Sequence, residues 1–434
     1  MATIAILGTM DTKGEEHAYV AEIIRQRGHS TLVIDVGALE PPTLKPDITR
    51  EQVAAAAEAD LAGLVARRDR GETIAAMSRG APVVLARLIG EKRIDGVISL
   101  GGSGGTSIGT AAMRALPLGF PKVMVSTLAS GNTAPYVGVK DIVMMPSVVD
   151  VAGLNRISRQ ILSRAAGAIC GMVETSPAGT SGDRPLVVAS MFGNTTNCVQ
   201  HAKKILEEHG YEVLVFHATG VGGRTMESLV ESGIVDGVLD ITTTEWADEL
   251  VGGFLTAGPH RLEAAARTGT PAIVTPGCLD MVNFHGPDSV PERFRNRLFY
   301  QHNPQVTLMR TSPQENADLG RIVGEKLSGS IGPVTFLIPA QAISVISAPG
   351  QAFHDPAADA ALFGALKKTL RSDIPVIEME AAINDPAFAE ACANALLENM
   401  AAARAGTAAR KSNARDSLGN GAAHEPGKRL VISR

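Results

Sequence analysis

At 434 residues the chain exceeds what one hydrophobic core organises, so two domains are the starting expectation. A net charge of −5 and an aromatic content of 4% exclude the basic face and stacking platforms of a nucleic-acid binder. Cys170, Cys198, Cys278 and Cys392 are scattered without a C-x-x-C pair, which argues against a disulfide framework or structural zinc, and no metal ligand set is expected. No stretch has the length of a membrane span and no apolar signal core opens the chain, so a cytoplasmic protein with no membrane or nucleic-acid partner is expected.

In chain order, residues 3–7 read as a short buried strand ending in Gly8. The loop Thr9-Met10-Asp11-Thr12-Lys13-Gly14 follows, then a helix over 15–27 stopped by Gly28 and a second strand over 30–36. A βαβ unit at the outset is the usual opening of a doubly wound sheet. Residues 41–70 read as a connector and alanine-rich helix, 71–78 as a further helix, and 83–87 fit helix or strand equally. The stretch Val97-Ile98-Ser99-Leu100-Gly101-Gly102-Ser103-Gly104-Gly105-Thr106 predicts a buried strand, a glycine loop and a helix start. Without Cβ atoms the loop backbone approaches a phosphate closely, and the free N–H groups of a first helical turn point at it. The spacing is neither a P-loop nor G-x-G-x-x-G. Strands over 122–127 and helix over 158–172 complete a first domain, residues 1–173.

Residues 174–185, rich in Ser, Thr, Gly and Pro, predict a linker. The plan then restarts over 186–401: a strand over 186–191, helix 199–208 and strand 212–217 mirror residues 3–36. Ile94-Asp95-Gly96-Val97 returns as Val235-Asp236-Gly237-Val238. An internal duplication of one Rossmann-like α/β unit with a parallel sheet explains the repeat. Residues 402–434 lose apolar periodicity and predict a disordered tail.

In an open parallel sheet, ligands sit beyond the carboxyl ends of the strands. Asp11, Thr12 and Lys13, Asp35 and Gly37, and the glycine loop all fall there. They suit a nucleotide: Lys13 for phosphate, Asp11 for magnesium or its waters, Asp35 for ribose, with Arg79 as a further contact. In the second domain Asn194, Thr195, Glu245, Cys278, Asp280, His285, His302 and Glu315 fall in or beside strand-end loops. They would face an interdomain cleft as a polar pocket for a small molecule, with no assignable catalytic residue.

Four motifs, Gly8-Thr9-Met10-Asp11-Thr12-Lys13-Gly14, Gly101-Gly102-Ser103-Gly104-Gly105-Thr106, Pro276-Gly277-Cys278-Leu279-Asp280-Met281 and His302-Asn303-Pro304-Gln305-Val306-Thr307-Leu308-Met309-Arg310-Thr311, resemble the Tm-1-like ATP-binding family, also called UPF0261. The resemblance covers residues 2–401. It implies two Rossmann-like subdomains, a homodimer, and ATP with Mg²⁺ at Asp11, Thr12, Lys13, Gly37, Arg79, Gly102, Ser103, Gly104, Gly105 and Thr106. The function it implies is ATP binding coupled to chemistry on a small molecule at the second subdomain; the alternative is a nucleotide-gated, non-catalytic protein that engages another protein.

Overall fold

The computed structural model describes residues 1–175 and 183–419. The chain divides into two compact units, Met1–Ser181 and Gly182–Arg434. The central part of the expected linker, residues 176–182, lies outside the described residues.

The first unit is a five-stranded parallel sheet of β1 (Thr3–Gly8), β2 (Ser30–Asp35), β3 (Gly96–Gly101), β4 (Lys122–Ser126) and β5 (Val143–Pro146), in the order β2-β1-β3-β4-β5. Its strands are apolar at almost every position because both faces are covered. Ala5 and Leu7 pack into one core with Met77, Ala81, Val84, Leu85 and Leu88, while Ile4 and Ile6 pack into the other with Leu162, Ala165 and Ile169. This packing settles residues 83–87. They lie inside the helix Arg70–Gly90, whose buried positions recur every three or four residues toward the sheet. The β-branched Val83-Val84 pair suggests a strand only when read alone.

The second unit carries a six-stranded parallel sheet and a small antiparallel one. Its strands are β6 (Leu186–Met191), β7 (Glu212–His217), β8 (Gly237–Thr242), β9 (Ala272–Gly277), β10 (Met281–Phe284), β11 (Phe299–Asn303), β12 (Val306–Arg310), β13 (Val334–Pro339) and β14 (Val376–Met379). The large sheet runs β14-β13-β9-β8-β6-β7 and the small one β10-β12-β11. The antiparallel sheet, inserted after β9, was not expected from the sequence.

Both parallel sheets place their first strand between the second and third, and both tie the start of that strand in the same way. The Thr3 amide donates to Asp95 Oδ2 at 2.7 Å and the Leu186 amide to Asp236 Oδ2 at 2.8 Å. These are the two Asp-Gly-Val repeats of the sequence. The last helix, Pro386–Gly419, buries Phe388, Ala389, Cys392, Ala393, Leu396 and Met400 against the second sheet. It continues helically to residue 419, past residue 402 where a disordered tail was expected; residues 420–434 lie outside the described residues.

Candidate functional site

In the first unit β1 lies between β2 and β3, so the chain departs in opposite directions from β1 and β3 and leaves a crevice at their carboxyl ends. A cleft of about 560 Å³ opens there. The loop after β1 is a compact turn: the amides of Thr12 and Lys13 both donate to the Thr9 carbonyl, at 3.3 and 2.9 Å. Buried Met10 anchors it from below. Thr9, Asp11, Thr12 and Lys13 line the cleft.

Asp11 Oδ2 accepts the Leu39 amide at 2.9 Å, while its Oδ1 is buried without a hydrogen-bond partner. Gly37 permits this, since a Cβ there would sit 2.5 Å from the Asp11 carboxyl carbon. Lys13 Nζ donates to the Val151 carbonyl, and the Lys13 carbonyl is held by Nδ1 of His17 at 2.6 Å. His17 is fully buried, and desolvation lowers its pKa, so its ring is neutral at pH 7 and Nδ1 is the donor.

Asp35 does not face the cleft. It is fully buried, and its Oδ1 accepts the amides of Met10 at 3.0 Å and Gly37 at 2.8 Å, binding the first two loops together from beneath. Burial raises its pKa despite those donors. The expected ribose acid is a loop clamp.

The glycine loop caps the helix Ser103–Arg114. Gly102 is the N-cap residue and no side chain caps this end, so the first-turn amides have no intrahelical partner; residues 102–105 line the cleft. The glycines divide by role. Gly101 packs on the Cα of Gly105, and a Cβ on Gly104 would meet Ile74 Cδ1 at 2.9 Å, so these are small because helix, strand and neighbour approach closely. A Cβ on Gly102 would meet only Thr127 Oγ1, at 3.8 Å, and would project into the cleft. Thr106 is buried, with Oγ1 on Ser126 Oγ at 2.7 Å, and its side chain faces the core rather than a ligand.

Arg79 is exposed and absent from the cleft wall. Arg70 lines it instead, with Thr73 and Ile74 one turn on. Arg79 is nine residues further along the same helix, half a turn round and about 13.5 Å away along the axis. Thr127 and Asp150, beyond the ends of β4 and β5, complete the polar side, while Val36, Ala38, Leu39, Ile74, Ile108 and Leu128 supply the apolar lining. No local signal in the sequence could have found Arg70, because which face of the helix meets the cleft is set by packing.

The second unit treats its polar residues differently. Glu245 is fully buried: Oε1 accepts the amides of Gly220 at 2.7 Å and Gly223 at 3.0 Å, and Oε2 accepts Arg261 Nε at 2.8 Å. Arg261, 1% exposed, also pairs with Asp240 at 2.5 Å and Glu227 at 3.1 Å. Glu227 titrates above its usual range because it is desolvated. Cys278 is buried among Met281, Leu308, Ile346 and Phe353, and burial pushes its thiol well up, away from a nucleophile's range. His285 is exposed and stacks on Phe254 with ring centroids 3.8 Å apart, and His302 is exposed on β11.

Asp280 is buried, with Oδ2 accepting Ser344 Oγ at 2.7 Å; desolvation, opposed by Arg310, raises its pKa to about 6. Thr195 pairs with Thr242 at 2.7 Å. Asn194 is buried, its carbonyl accepting Asn384 Nδ2 at 2.8 Å. Glu315 pairs with Arg297 at 2.6 Å and closes the capping box of the helix Pro313–Ser328. These eight residues are therefore mostly buried, and most of them pair with residues of the unit itself. Among the described residues no group of His, Cys, Asp and Glu is arranged to hold a metal.

The fold and site define a two-unit, doubly wound α/β protein whose N-terminal unit opens a cleft at the carboxyl ends of its strands. Family models describe the same division: "Uncharacterised protein family (UPF0261) N-terminal domain" matches residues 2–178 and its C-terminal domain residues 184–400. The chain belongs to the UPF0261 family. A UPF0261 protein of Clostridium tetani is 51% identical over 92% of this chain and 98% of its own length; one of Rhizobium meliloti is 51% identical over 90% and 97%. The tomato ToMV susceptible protein tm-1(GCR26) is 39% identical over 90% of this chain, which spans 55% of the tomato protein. Solved structures such as a Streptomyces glycosyltransferase with thymidine diphosphate (14% identity, 64% and 82% of the two chains, TM-score 0.18) are too distant to inform the site.

Proposed function

We propose that the first-unit cleft binds ATP with Mg²⁺. One observation carries the reading: an uncapped helix N-terminus, a lysine and a carboxylate oxygen without a partner converge on one cleft. The amides and Lys13 suit phosphate oxygens, and the apolar wall suits a base. Asp11 Oδ1 is buried and lacks a donor, the condition a cation or its bound water would relieve. Asp11 would hold the metal, which neutralises phosphate charge when bound. Lys13 and the amides orient the chain. NAD fits less well, since the turn after β1 is Thr9-Met10-Asp11 rather than G-x-G-x-x-G.

The buried thiol of Cys278 and the intramolecular pairing of Glu245 and Glu315 favour the nucleotide as a conformational ligand of a binding protein over a reactant for the second unit. Thermal unfolding with ATP, ADP, NAD or buffer tests the assignment: at a hundredfold excess over Kd a ligand of the folded state stabilises by about 2.7 kcal/mol. ATP with magnesium should give the largest shift. Gly102→Val should remove it without a packing clash, and an unchanged ATP shift in that variant would place the nucleotide elsewhere. Self-association as a two-fold dimer is expected from the family resemblance; light scattering at about 45 kDa, the monomer mass, would refute it.

A further inference from the structure

We propose that residues 147–155 form a strap that Lys13 holds shut against one side of the cleft, and that a bound polyphosphate chain releases it by drawing Lys13 away. The inference rests on the nucleotide reading of the same cleft and gives that site a moving part.

Both ends of the strap are fixed. The Ser147 amide donates to the Ser126 carbonyl at the end of β4 at 3.0 Å. At the other end Asn155 Oδ1 accepts the Ile157 and Ser158 amides, each at 2.9 Å, and caps the helix Arg156–Glu174. Between them the backbone is strained. Val148 has φ +66°, and the Val149 amide donates across it to the Ser147 carbonyl at 2.7 Å, the pattern of the rare γ-turn whose central residue is left-handed. A β-branched side chain suits that conformation poorly, and Val148 is 73% exposed, so packing does not offset its cost. Three ties keep the strap in place: the Val151 side chain sits in the core, the Gly153 amide donates to buried Glu16 Oε1 at 2.6 Å, and the Val151 carbonyl accepts Lys13 Nζ. Of Val151, Glu16 and Lys13, it is Lys13 that lines the cleft. A phosphate on the amides of the glycine loop offers its ammonium a charged acceptor in place of a neutral carbonyl, and that bond is the stronger. The same phosphate repels Asp150, the carboxylate that the strap places on the cleft wall. Loss of the tether lets Val148 leave its strained conformation, so attraction, repulsion and strain all act in one direction. Nucleotide binding is thereby coupled to the surface around residues 148–152, the coupling that a nucleotide-gated binding protein requires.

Hydrogen–deuterium exchange of the full chain, without ligand, with ATP and with inorganic tripolyphosphate, all in magnesium, tests this. Either ligand should slow exchange of amides 103–105 at the helix start and speed that of Val149, Val151 and Gly153. Lys13→Ala without ligand should speed the same three amides about 10-fold or more, since a hydrogen bond from a charged donor is lost. Unchanged exchange in β1 and β3 shows that this variant is folded. Val148→Gly removes the cost of the turn and steadies the shut strap. It should slow the three amides and weaken ATP about 3- to 10-fold in calorimetric titration. A strap that ATP protects together with the helix start overturns the proposal and leaves the nucleotide reading standing. Wild-type strap exchange in Lys13→Ala, or tighter ATP binding by Val148→Gly, overturns it as well. Release by tripolyphosphate with no binding of ATP would keep the strap and sink the ATP reading. Binding of neither ligand would sink both.

Discussion

The two units share a strand order and the same aspartate clasp at the start of the first strand, yet their crevices differ. In the first unit the loop after the third strand is glycine-rich, its helix start is uncapped, and a cleft opens over it. In the second unit the matching loop is Thr242-Thr243-Thr244-Glu245, and Glu245 turns inward to the amides of Gly220 and Gly223 and to Arg261. A carboxylate of the chain itself there occupies the N-terminus of the helix Val221–Glu231, which follows the second strand, together with a cation. The glycine loop of the first unit stays open to a cleft, and the matching loop of the second is filled from within by its own glutamate.

The largest expected effect breaks the filled version. Arg261→Leu would leave Asp240, Glu227 and Glu245 buried around no cation, with a loss on the order of 3–5 kcal/mol from the second unit, read by urea unfolding. Glu245→Gln, which keeps an acceptor for the two amides, should cost clearly less; equal losses would mean that the arginine pairing is not the main term.

Lys13→Ala tests the open version. It should lower ATP affinity on the order of 1.5–3 kcal/mol, with a smaller effect on apo stability because only the Val151 contact is lost. A loss of stability as large as the loss of affinity would make Lys13 a structural residue.

The pH dependence of stability separates the units next. Asp248 and Asp280 of the second unit are raised by burial to about 7 and about 6, against an unfolded value of about 3.9. The folded state therefore binds more protons than the unfolded state between these values. Stability contributed by the neutral carboxyls is full below about pH 4 and falls as pH rises to about 7. Asp280→Asn should flatten the pH 4–6 part of that slope in calorimetric melts, and an unaltered slope there would remove Asp280 as its source.

The smallest effect is expected at the C-terminus. Met400 is the last residue of the final helix in the hydrophobic core, and residues 401, 402, 404 and 405 are exposed. A chain ending at residue 405 should melt as the full chain does; a measurable drop would show that later residues dock.

Strand positions and the parallel, doubly wound class were legible because strands buried on both faces must be apolar throughout, and period and turn residues are local. The three loops of the cleft were legible too, because carboxyl ends of strands follow from strand order. Side-chain direction was not. Asp11 and Asp35 are alike in sequence, but only packing shows that one reaches the cleft and the other binds amides beneath it. Arg79 and Arg70 differ by half a helical turn, which spacing alone leaves without a reference direction. Burial decided the rest: Glu245, Cys278 and Asp280 carry reactive group types in strand-end loops, and only the tertiary structure shows that the protein encloses all three. The sequence determined which groups arrive at the strand ends; long-range packing determined which of them meet solvent, because burial is set by contacts with residues far away in the chain.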